Sequence, residues 1–212
     1  TRFPKTPIQP PAMVFATNRD HTMPSADHSP AKRSEIESVL RCEAARDIPL
    51  FLPAIYEHKG SFIGQTPSAI SRDADLLTRA VLTEHEIIQP DALTVGVDVY
   101  NLEAEAVGCP VTFYEGDDIS IPGIKPGHHV ITLDDDLTHR PVPNPLRDGR
   151  MPVNIETARR VVRELGSDHW VRGSLSGPFS LAISLVGAET IFLGCLDNPD
   201  AVKGVLNYCA RV

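Results

Sequence analysis

Polar side chains that can take part in acid–base chemistry follow an apolar run near the middle of the chain. Asp98 and Asn101 come directly after residues 92–97, which read ALTVGV and predict a buried strand. In barrels of parallel strands, active sites assemble from the loops at the carboxyl ends of the strands. Asp98 is therefore either a site residue or a cap for the helix that follows, and the sequence leaves both interpretations open.

Two glutamates lie on that next helix, predicted over residues 100–108. Because residues two apart on a helix point in different directions, at most one of Glu103 and Glu105 can face the interior of a barrel. Composition alone would treat both as solvated side chains.

Ser174, Ser176 and the turn Gly177-Pro178 lie where a predicted strand, 170–175, gives way to a helix. Free backbone N–H groups at such a helix start can hold an anionic group. The serines can equally serve as helix caps, and the two roles are compatible.

His58 follows the first predicted strand, 50–55, and can act as a general acid or base there. A single exposed histidine at the edge of such a site more commonly has no catalytic role. The other residues that could bind a metal do not have the spacing of a metal site. The histidines at 128, 129 and 139 do not match a known ligand spacing, and the four cysteines include no CxxC pair. Buried small apolar residues are the favoured interpretation of the cysteines.

Composition excludes several classes of function. The chain has 212 residues, 42% of them hydrophobic, with a net charge of −8 and a pI near 5.4, which disfavours a nucleic-acid partner. A run of about 18 apolar residues, enough to span a membrane, does not occur, and the N-terminus does not resemble a secretory signal. We therefore expect a cytoplasmic protein that binds neither nucleic acid nor membrane.

The elements that must position these residues follow from hydrophobic periodicity. Residues 1–34 are rich in proline and predict an arm, and 35–212 predict one domain. A helix from Ser34 precedes an apolar strand at 50–55. A helix capped by Ser71 and ending at Gln89-Pro90 leads to a second strand at 92–97, and a helix capped by Asn154 and ended by Gly166 leads to a third at 170–175. Helices between apolar strands predict parallel pairing. Two more helices, from Pro178 and from Asn198-Pro199, end the pattern.

The expected fold class from these elements is α/β with a parallel sheet. Three predicted strands cannot close a barrel, which needs eight strands and typically about 250 residues. Uncovered parallel edges are unstable, so we expect a missing segment or a second chain to complete the sheet. The irregular stretch 116–152, rich in Pro, Gly and Asp, is expected to cover a site.

Two segments have distinctive sequence motifs: GVDVYNLEAEAVGC at 96–109 and GSLSGPFSLA at 173–182. Both resemble the uroporphyrinogen decarboxylase superfamily. The first is similar to the EAEA-x-GC segment of its methyltransferase branch, and the second is similar to its G-PF-x-LA turn. VGAE at 186–189 and DNP at 197–199 also match, so that the resemblance covers about residues 35–212.

The resemblance implies that the chain is a partial TIM (β/α)₈ barrel, made of the N-terminal strands and helices only. It also implies one of two chemistries. One is metal-free decarboxylation of uroporphyrinogen. The other is methyl transfer between a corrinoid and a thiol or other acceptor, with zinc holding the acceptor as thiolate. The decarboxylase pattern expects two arginines after the first strand, but residues 56–62 read YEHKGSF. Because polycarboxylates are held by bidentate guanidinium contacts, methyl transfer is the favoured chemistry.

The resemblance also implies cofactors and partners. Corrinoid (cobalamin) is the expected methyl carrier, and a corrinoid protein or a small methyl acceptor is the expected partner. The family's zinc-binding His-x-Cys does not occur in this sequence, so zinc is expected only with a C-terminal half and no metal ligand is assigned here. Residues and resemblance together assign His58, Asp98, Glu103 and Glu105 as catalytic, and Tyr100, Asn101, Ser174, Ser176 and Phe179 as substrate-binding.

Three functions stay open at this point. The first is the N-terminal part of a corrinoid-dependent methyltransferase. The second is a metal-free decarboxylase of the uroporphyrinogen decarboxylase type. The third is a non-catalytic half-barrel subunit that a partner chain completes.

Overall fold

A computed structural model of the protein describes residues 31–43, 50–98 and 101–212. In chain order, the helices are α1 (Arg33–Leu40), the 3₁₀ helix Tyr56–Ile63, α2 (Pro67–Ile70), α3 (Ala74–Ile88), α4 (Leu102–Val107), α5 (Met151–Leu165), α6 (Pro178–Val186), α7 (Ala188–Asp197) and α8 (Pro199–Cys209). The strands are β1 (Ala92–Thr94), β2 (Val111–Thr112), β3 (Gly123–Ile124) and β4 (Trp170–Arg172).

Parallel pairing of β1 with β4 is the centre of the fold. Ala92 lies opposite Trp170, and Thr94 lies opposite Arg172. All three residues of β1 are buried, as expected of a strand covered on both faces. The two strands therefore send the segments after Thr94 and Arg172 out from the same edge of the sheet. A separate antiparallel pair joins β2 and β3.

Helices α3 and α5 cover one face of this parallel pair. Leu77 and Val81 of α3 and Val161 of α5 form a buried cluster with Leu93 of β1. A second cluster joins α4, α6, α7 and α8 through completely or nearly completely buried side chains. These include Ala104, Leu181, Leu185, Ile191, Val205 and Tyr208. Two adjoining cores thus fix both the strands and the helices that follow them.

The first predicted strand, 50–55, is wrong. These residues run beside β1 without a ladder: the Phe51 N–H donates to the side chain of Asp91 (2.5 Å), and the Asp91 N–H donates to the Phe51 carbonyl (3.0 Å). Pro53 has no N–H to donate, which prevents a regular strand from continuing. The 3₁₀ helix Tyr56–Ile63 begins almost at once.

Two predicted caps are also wrong. Ser71 ends α2 by donating its hydroxyl to the Ser68 carbonyl, whereas Asp73 caps α3 through bonds from the N–H groups of Asp75 and Leu76. Asn154 lies inside α5, which begins at Met151. Pro152 belongs to the first turn of that helix, where a missing N–H costs nothing.

Several other predictions are confirmed. Gln89 ends α3, Gly166 ends α5, and the Asn198 side chain caps α8 by accepting from the Ala201 N–H. Helix α1 begins one residue before Ser34, and Ala31 is buried. Residues 1–30 of the predicted arm lie outside the described residues, so the arm stays a prediction.

The stretch 116–152 is largely irregular and is bound to the helices of the second core. The N–H groups of Val130 and Ile131 both donate to the Leu185 carbonyl, and the Tyr208 hydroxyl donates to the Pro141 carbonyl. In the described part of the chain, no single helix is long and apolar enough to cross a membrane. Helices α6 and α7, which meet at a bend of 106°, reach that length and composition only as a pair.

Candidate active site

The segments that leave β1 and β4 approach each other closely just beyond the strands. Gly96 has φ 136°, and a Cβ atom placed there would lie 3.2 Å from the Ser174 Cβ. Because an L side chain would be strained in that conformation and crowded by Ser174, glycine is the residue that allows the contact. This contact brings the segments 95–98 and 173–177 together at the carboxyl edge of the sheet.

Asp98 lies at the end of the first segment, with φ 54° and a side chain that is 1% exposed. Its carboxylate accepts from the Arg150 Nη2 at 2.5 Å and from the Asn101 side-chain amide. Its own backbone N–H donates to Glu57 Oε1 at 2.6 Å. Among the described residues, the donors to this carboxylate are the side chains of Arg150 and Asn101 and not an N–H of α4, so of the two interpretations of Asp98 the structure does not support capping.

Electrostatics at Asp98 reflect two opposing causes. Burial raises the pKa of Asp98 above its ordinary value, while the Arg150 guanidinium and the Asn101 amide act in the other direction. The net shift of this pKa is upward, because desolvation is the largest of these effects.

Arg150 is the residue that joins this network, and no motif or spacing in the sequence points to it. Its Nε donates to Glu105 at 2.6 Å while its Nη2 binds Asp98, and the guanidinium lies 4.8 Å from the centre of the Phe113 ring. The third nitrogen, Nη1, is buried with no hydrogen-bond partner among the described residues. Arg150 thus ties α4, the start of α5 and the segment after β1 together.

Glu103 points away from this network, as the helical spacing of the two glutamates predicts. Its Oε1 accepts from the Ser176 N–H at 3.3 Å. Its Oε2 is buried and, within the described residues, has no hydrogen-bond partner. Of the two glutamates, Glu105 is paired with Arg150 and Glu103 faces a cavity.

That cavity has a volume of about 460 Å³ and is mostly apolar. We call it the Glu103 cavity. Its walls come from α4, α5, α6, the end of α8 and the loop after β4, and the irregular stretch contributes Pro145. Ser174, Ser176 and Asn154 are the other polar side chains at the wall. The volume falls within the range of about 300–1,000 Å³ that is usual for small-molecule sites.

A second cavity of about 500 Å³ also borders the loop after β4. It shares Ser174 and Ser176 with the Glu103 cavity, and it adds Arg172 and Tyr56. The Arg172 guanidinium donates to Thr94 Oγ1 at 2.7 Å and to the Pro53 carbonyl at 3.4 Å. This cavity therefore carries a cation where the first carries a carboxylate.

A buried ion pair supports β1 from the side of the 3₁₀ helix. Lys59 is completely buried, with its Nζ 3.2 Å from Glu84 and donating to the Thr94 carbonyl at 2.7 Å. Burial lowers the pKa of Lys59 despite the opposing effect of Glu84. The sequence singled out His58, but its neighbours Glu57 and Lys59 are the residues that reach the strand and the segment after it.

The predicted site residues fall into three groups. Glu103, Ser174 and Ser176 meet at the Glu103 cavity, and Asp98, Asn101 and Glu105 form the network behind it. His58 is exposed, and the half-exposed Phe179 ring lies 6.1 Å from the Phe192 ring. Tyr100 lies outside the described residues. The chemical roles of all of these residues stay predictions.

The described residues do not fit a zinc ion. Within 31–43, 50–98 and 101–212, no three His, Cys, Asp or Glu side chains are grouped so that they could hold a metal. Cys209 lines the Glu103 cavity, but burial raises the pKa of its thiol to about 11, which disfavours the thiolate that zinc requires. The expectation of zinc therefore rests on the resemblance alone.

Comparisons with known proteins agree with this architecture. The family model described as uroporphyrinogen decarboxylase (URO-D) matches residues 31–212. The fold is similar to the solved structure of a methyltransferase from Methanosarcina mazei, with a TM-score of 0.69 and 19% identity over 83% of this chain. The match spans 51% of that longer chain. A search of curated proteins finds no match.

The structural likeness confirms the predicted fold class. Parallel strands and helices superpose on about half of a barrel enzyme, which identifies the described domain as part of a (β/α)₈ barrel. In such barrels the carboxyl ends of the strands carry the active site, and this is the edge at which the two cavities lie.

Proposed function

The chain belongs to the uroporphyrinogen decarboxylase family, and on that premise we propose that it is part of an enzyme that transfers a methyl group between a corrinoid and an acceptor. The chain spans about half of the solved methyltransferase to which its fold is similar, so the proposal concerns the whole protein. The proposal is supported by the Glu103 cavity, by the motif that resembles EAEA-x-GC and by the similarity of the fold to that methyltransferase.

The observation that carries the proposal is the character of the Glu103 cavity. Its walls are mostly apolar, its one acidic side chain is Glu103, and none of its described wall residues is an arginine, lysine or histidine. A substrate with several carboxylates would meet a carboxylate there and no guanidinium to bind it. An apolar cavity suits transfer of a methyl group, because apolar walls disfavour the water that would compete for it.

The residues of this chain have assigned tasks in the proposal. The Asp98–Arg150–Glu105 network holds α4 against the start of α5 and so fixes the direction of Glu103. The Ser176 N–H holds one oxygen of Glu103, and the other oxygen has no donor among the described residues. The apolar walls exclude water from the reacting groups.

The expected chemistry is a displacement. A methyl-corrinoid would supply the methyl group and keep the electron pair of the broken cobalt–carbon bond, while the acceptor sulfur would bond to the methyl carbon and release its thiol proton to solvent. Zinc would supply acidity to that thiol if the whole protein binds it. Because the described residues do not fit zinc, we assign no step of the reaction to it here.

One observation favours the second candidate, a metal-free decarboxylase. Arg172 lines the cavity next to Ser174 and Ser176, and a guanidinium beside hydroxyl groups can hold one carboxylate of a substrate. Arg172 is, however, already bonded to Thr94, and it is a single cation. A polycarboxylate such as uroporphyrinogen needs several such contacts, so methyl transfer remains the better supported function.

Parallel assays on the full-length protein separate the two candidates. One contains methylcobalamin and a thiol, and loss of the methylcobalamin absorbance is followed with the methylated thiol identified by mass spectrometry. The other contains uroporphyrinogen, and decarboxylated products are separated by chromatography. We expect methyl transfer and no decarboxylation. Decarboxylation without methyl transfer would select the second candidate.

A further inference from the structure

We propose that the Glu103 cavity binds a small organic molecule with an apolar body and a protonated amino group. Two residues of its wall, Glu103 and Asn154, each have an acceptor atom that is buried without any donor among the described residues: Glu103 Oε2 and Asn154 Oδ1. Around them the wall is largely aliphatic. An ammonium group supplies up to three donors together with the opposite charge, which is what this pair of acceptors lacks.

Burial without a partner is what makes these atoms informative. A buried acceptor that lacks a donor loses its hydration without compensation, at a cost of about 1–3 kcal/mol and more when it is charged. Arg150 Nη1 is also buried without a partner among the described residues, but it makes no hydrogen bond to Glu103, since Nη2 and Nε hold the guanidinium on Asp98 and Glu105. A ligand that donates to these atoms would therefore recover that free energy.

The charges around the cavity favour a cation over an anion. The first turn of α5 reaches the wall at Met151 and Asn154, and its positive end opposes a cation. That end carries roughly +0.5 of an elementary charge, shared over several N–H groups, whereas the Glu103 carboxylate carries a full negative charge. The guanidinium of Arg150 is neutralised by two carboxylates. The net electrostatic potential at the ligand is therefore negative, which favours a cation.

The proposal adds a ligand class to the proposed function, and it rests on that function only in making this molecule a participant in methyl transfer. A protonated nitrogen has no lone pair to accept a methyl group. The ammonium therefore serves as the group by which Glu103 recognises the molecule, and the reacting atom lies elsewhere in the ligand.

Titration calorimetry on the full-length protein tests the ligand class without any methyl donor. Benzylamine, protonated at neutral pH, is compared with benzyl alcohol, which has the same shape and no charge. We expect the amine to bind at least about tenfold more tightly. Glu103→Gln should weaken amine binding by about tenfold to a hundredfold and leave alcohol binding unchanged. Glu189→Gln, an exposed position at the start of α7, is the matched control and should change neither.

A second variant guards against a folding defect in the first. Asn154→Ala lies in a helix, where alanine is well tolerated, and should weaken amine binding by about threefold to tenfold. Equal affinities for amine and alcohol, or unchanged amine binding in Glu103→Gln, would overturn the proposal. Because no methyl donor is present, failure here leaves methyl transfer untouched, and failure of methyl transfer leaves this binding result standing.

Discussion

Arg150 occupies a position where two acidic side chains, one from α4 and one from the segment before it, converge. Its side chain is 7% exposed, and its partner Asp98 is 1% exposed. Replacing it with methionine leaves Asp98 without its cation, and removing one partner of a buried pair costs about 3–5 kcal/mol. We expect Arg150→Met to lower the free energy of unfolding of the full-length protein by that amount, measured by urea titration.

Arg160, ten positions further along the chain in α5, is the matched control. It pairs with Glu156 and Asp75 at the surface, where such pairs contribute at most about 1 kcal/mol. If Arg150→Met costs no more than Arg160→Met, the buried network does not support the site as described.

The raised pKa of Asp98 gives a prediction with a definite sign. Between its ordinary value of 3.8 and its higher value in the folded protein, the native state holds a proton that the unfolded state has lost. As pH falls from neutral through the folded pKa toward 3.8, the wild type should therefore gain stability relative to Asp98→Asn.

Urea titrations of both proteins at a series of pH values measure this difference. A wild type that instead loses stability relative to Asp98→Asn on acidification would mean that Arg150 outweighs burial and that the pKa of Asp98 is lowered.

At the scale of residues, local spacing predicted the features that depend only on neighbours in the sequence. The opposite directions of Glu103 and Glu105 follow from helix geometry, and the structure shows them. Arg150 was missed because it lies 52 residues from Asp98 in sequence, and nothing in the segment RDGRMP distinguishes a buried guanidinium from a solvated one. Asp98 was identified, but its hydrogen-bonding neighbours Glu57 and Arg150 come from contacts that only the fold creates.

At the scale of elements, the approach of α4 to the residue before Arg150 positions the network. Gly149 has φ 56°, and a Cβ atom there would lie 3.1 Å from the Cα of Ala106. An alanine would be strained in the left-handed region and would press on backbone that cannot move aside. We expect Gly149→Ala to cost about 1–3 kcal/mol in urea unfolding.

Gly204 supplies the opposite case in the same protein. It lies in α8 with open space around its Cβ position, so Gly204→Ala should stabilise the protein by about 0.5–1 kcal/mol. Similar effects of the two substitutions would show that the α4–α5 approach does not constrain Gly149.

The elements that were predicted well from the sequence have strong local signals. Helices α3, α6 and α8 have clear periodicity, and Gly166 and Asn198 have the chemistry of helix ends. The strand 50–55 was wrong because an apolar run does not reveal which acceptor its N–H groups will find, and here Asp91 takes the Phe51 N–H. The start of α5 was missed because Pro152 in the first turn and Asn154 two residues later are both acceptable start signals.

At the scale of the whole molecule, the described residues contain one parallel strand pair, whereas a closed barrel has eight strands. We propose that further strands, from a longer form of the same chain or from a partner chain, complete it. Intact mass spectrometry and gel filtration of the natively produced protein address this. We expect a longer chain or a complex; a stable monomer of 23.1 kDa would contradict both this and the half-barrel subunit.

Family and fold class were predictable at this scale because the segments 96–109 and 173–182 have distinctive sequence motifs. The reaction was not predictable to the same degree, since these segments identify the family but not the side chains that face the substrate. The Glu103 cavity depends on several separate elements of the chain, and no local pattern in the sequence encodes such a meeting.

Methyl transfer at the Glu103 cavity is tested most directly by the rate of transfer from methylcobalamin to a thiol by the full-length protein, compared among the wild type, Glu103→Gln and Glu189→Gln. We expect the wild type and Glu189→Gln to transfer the methyl group at similar rates. Glu103→Gln should be slower by at least about tenfold in kcat/KM, since a hydrogen bond to a charged group contributes about 1.5–3 kcal/mol. No transfer by the wild type, or an equal rate in Glu103→Gln, would contradict the proposed function.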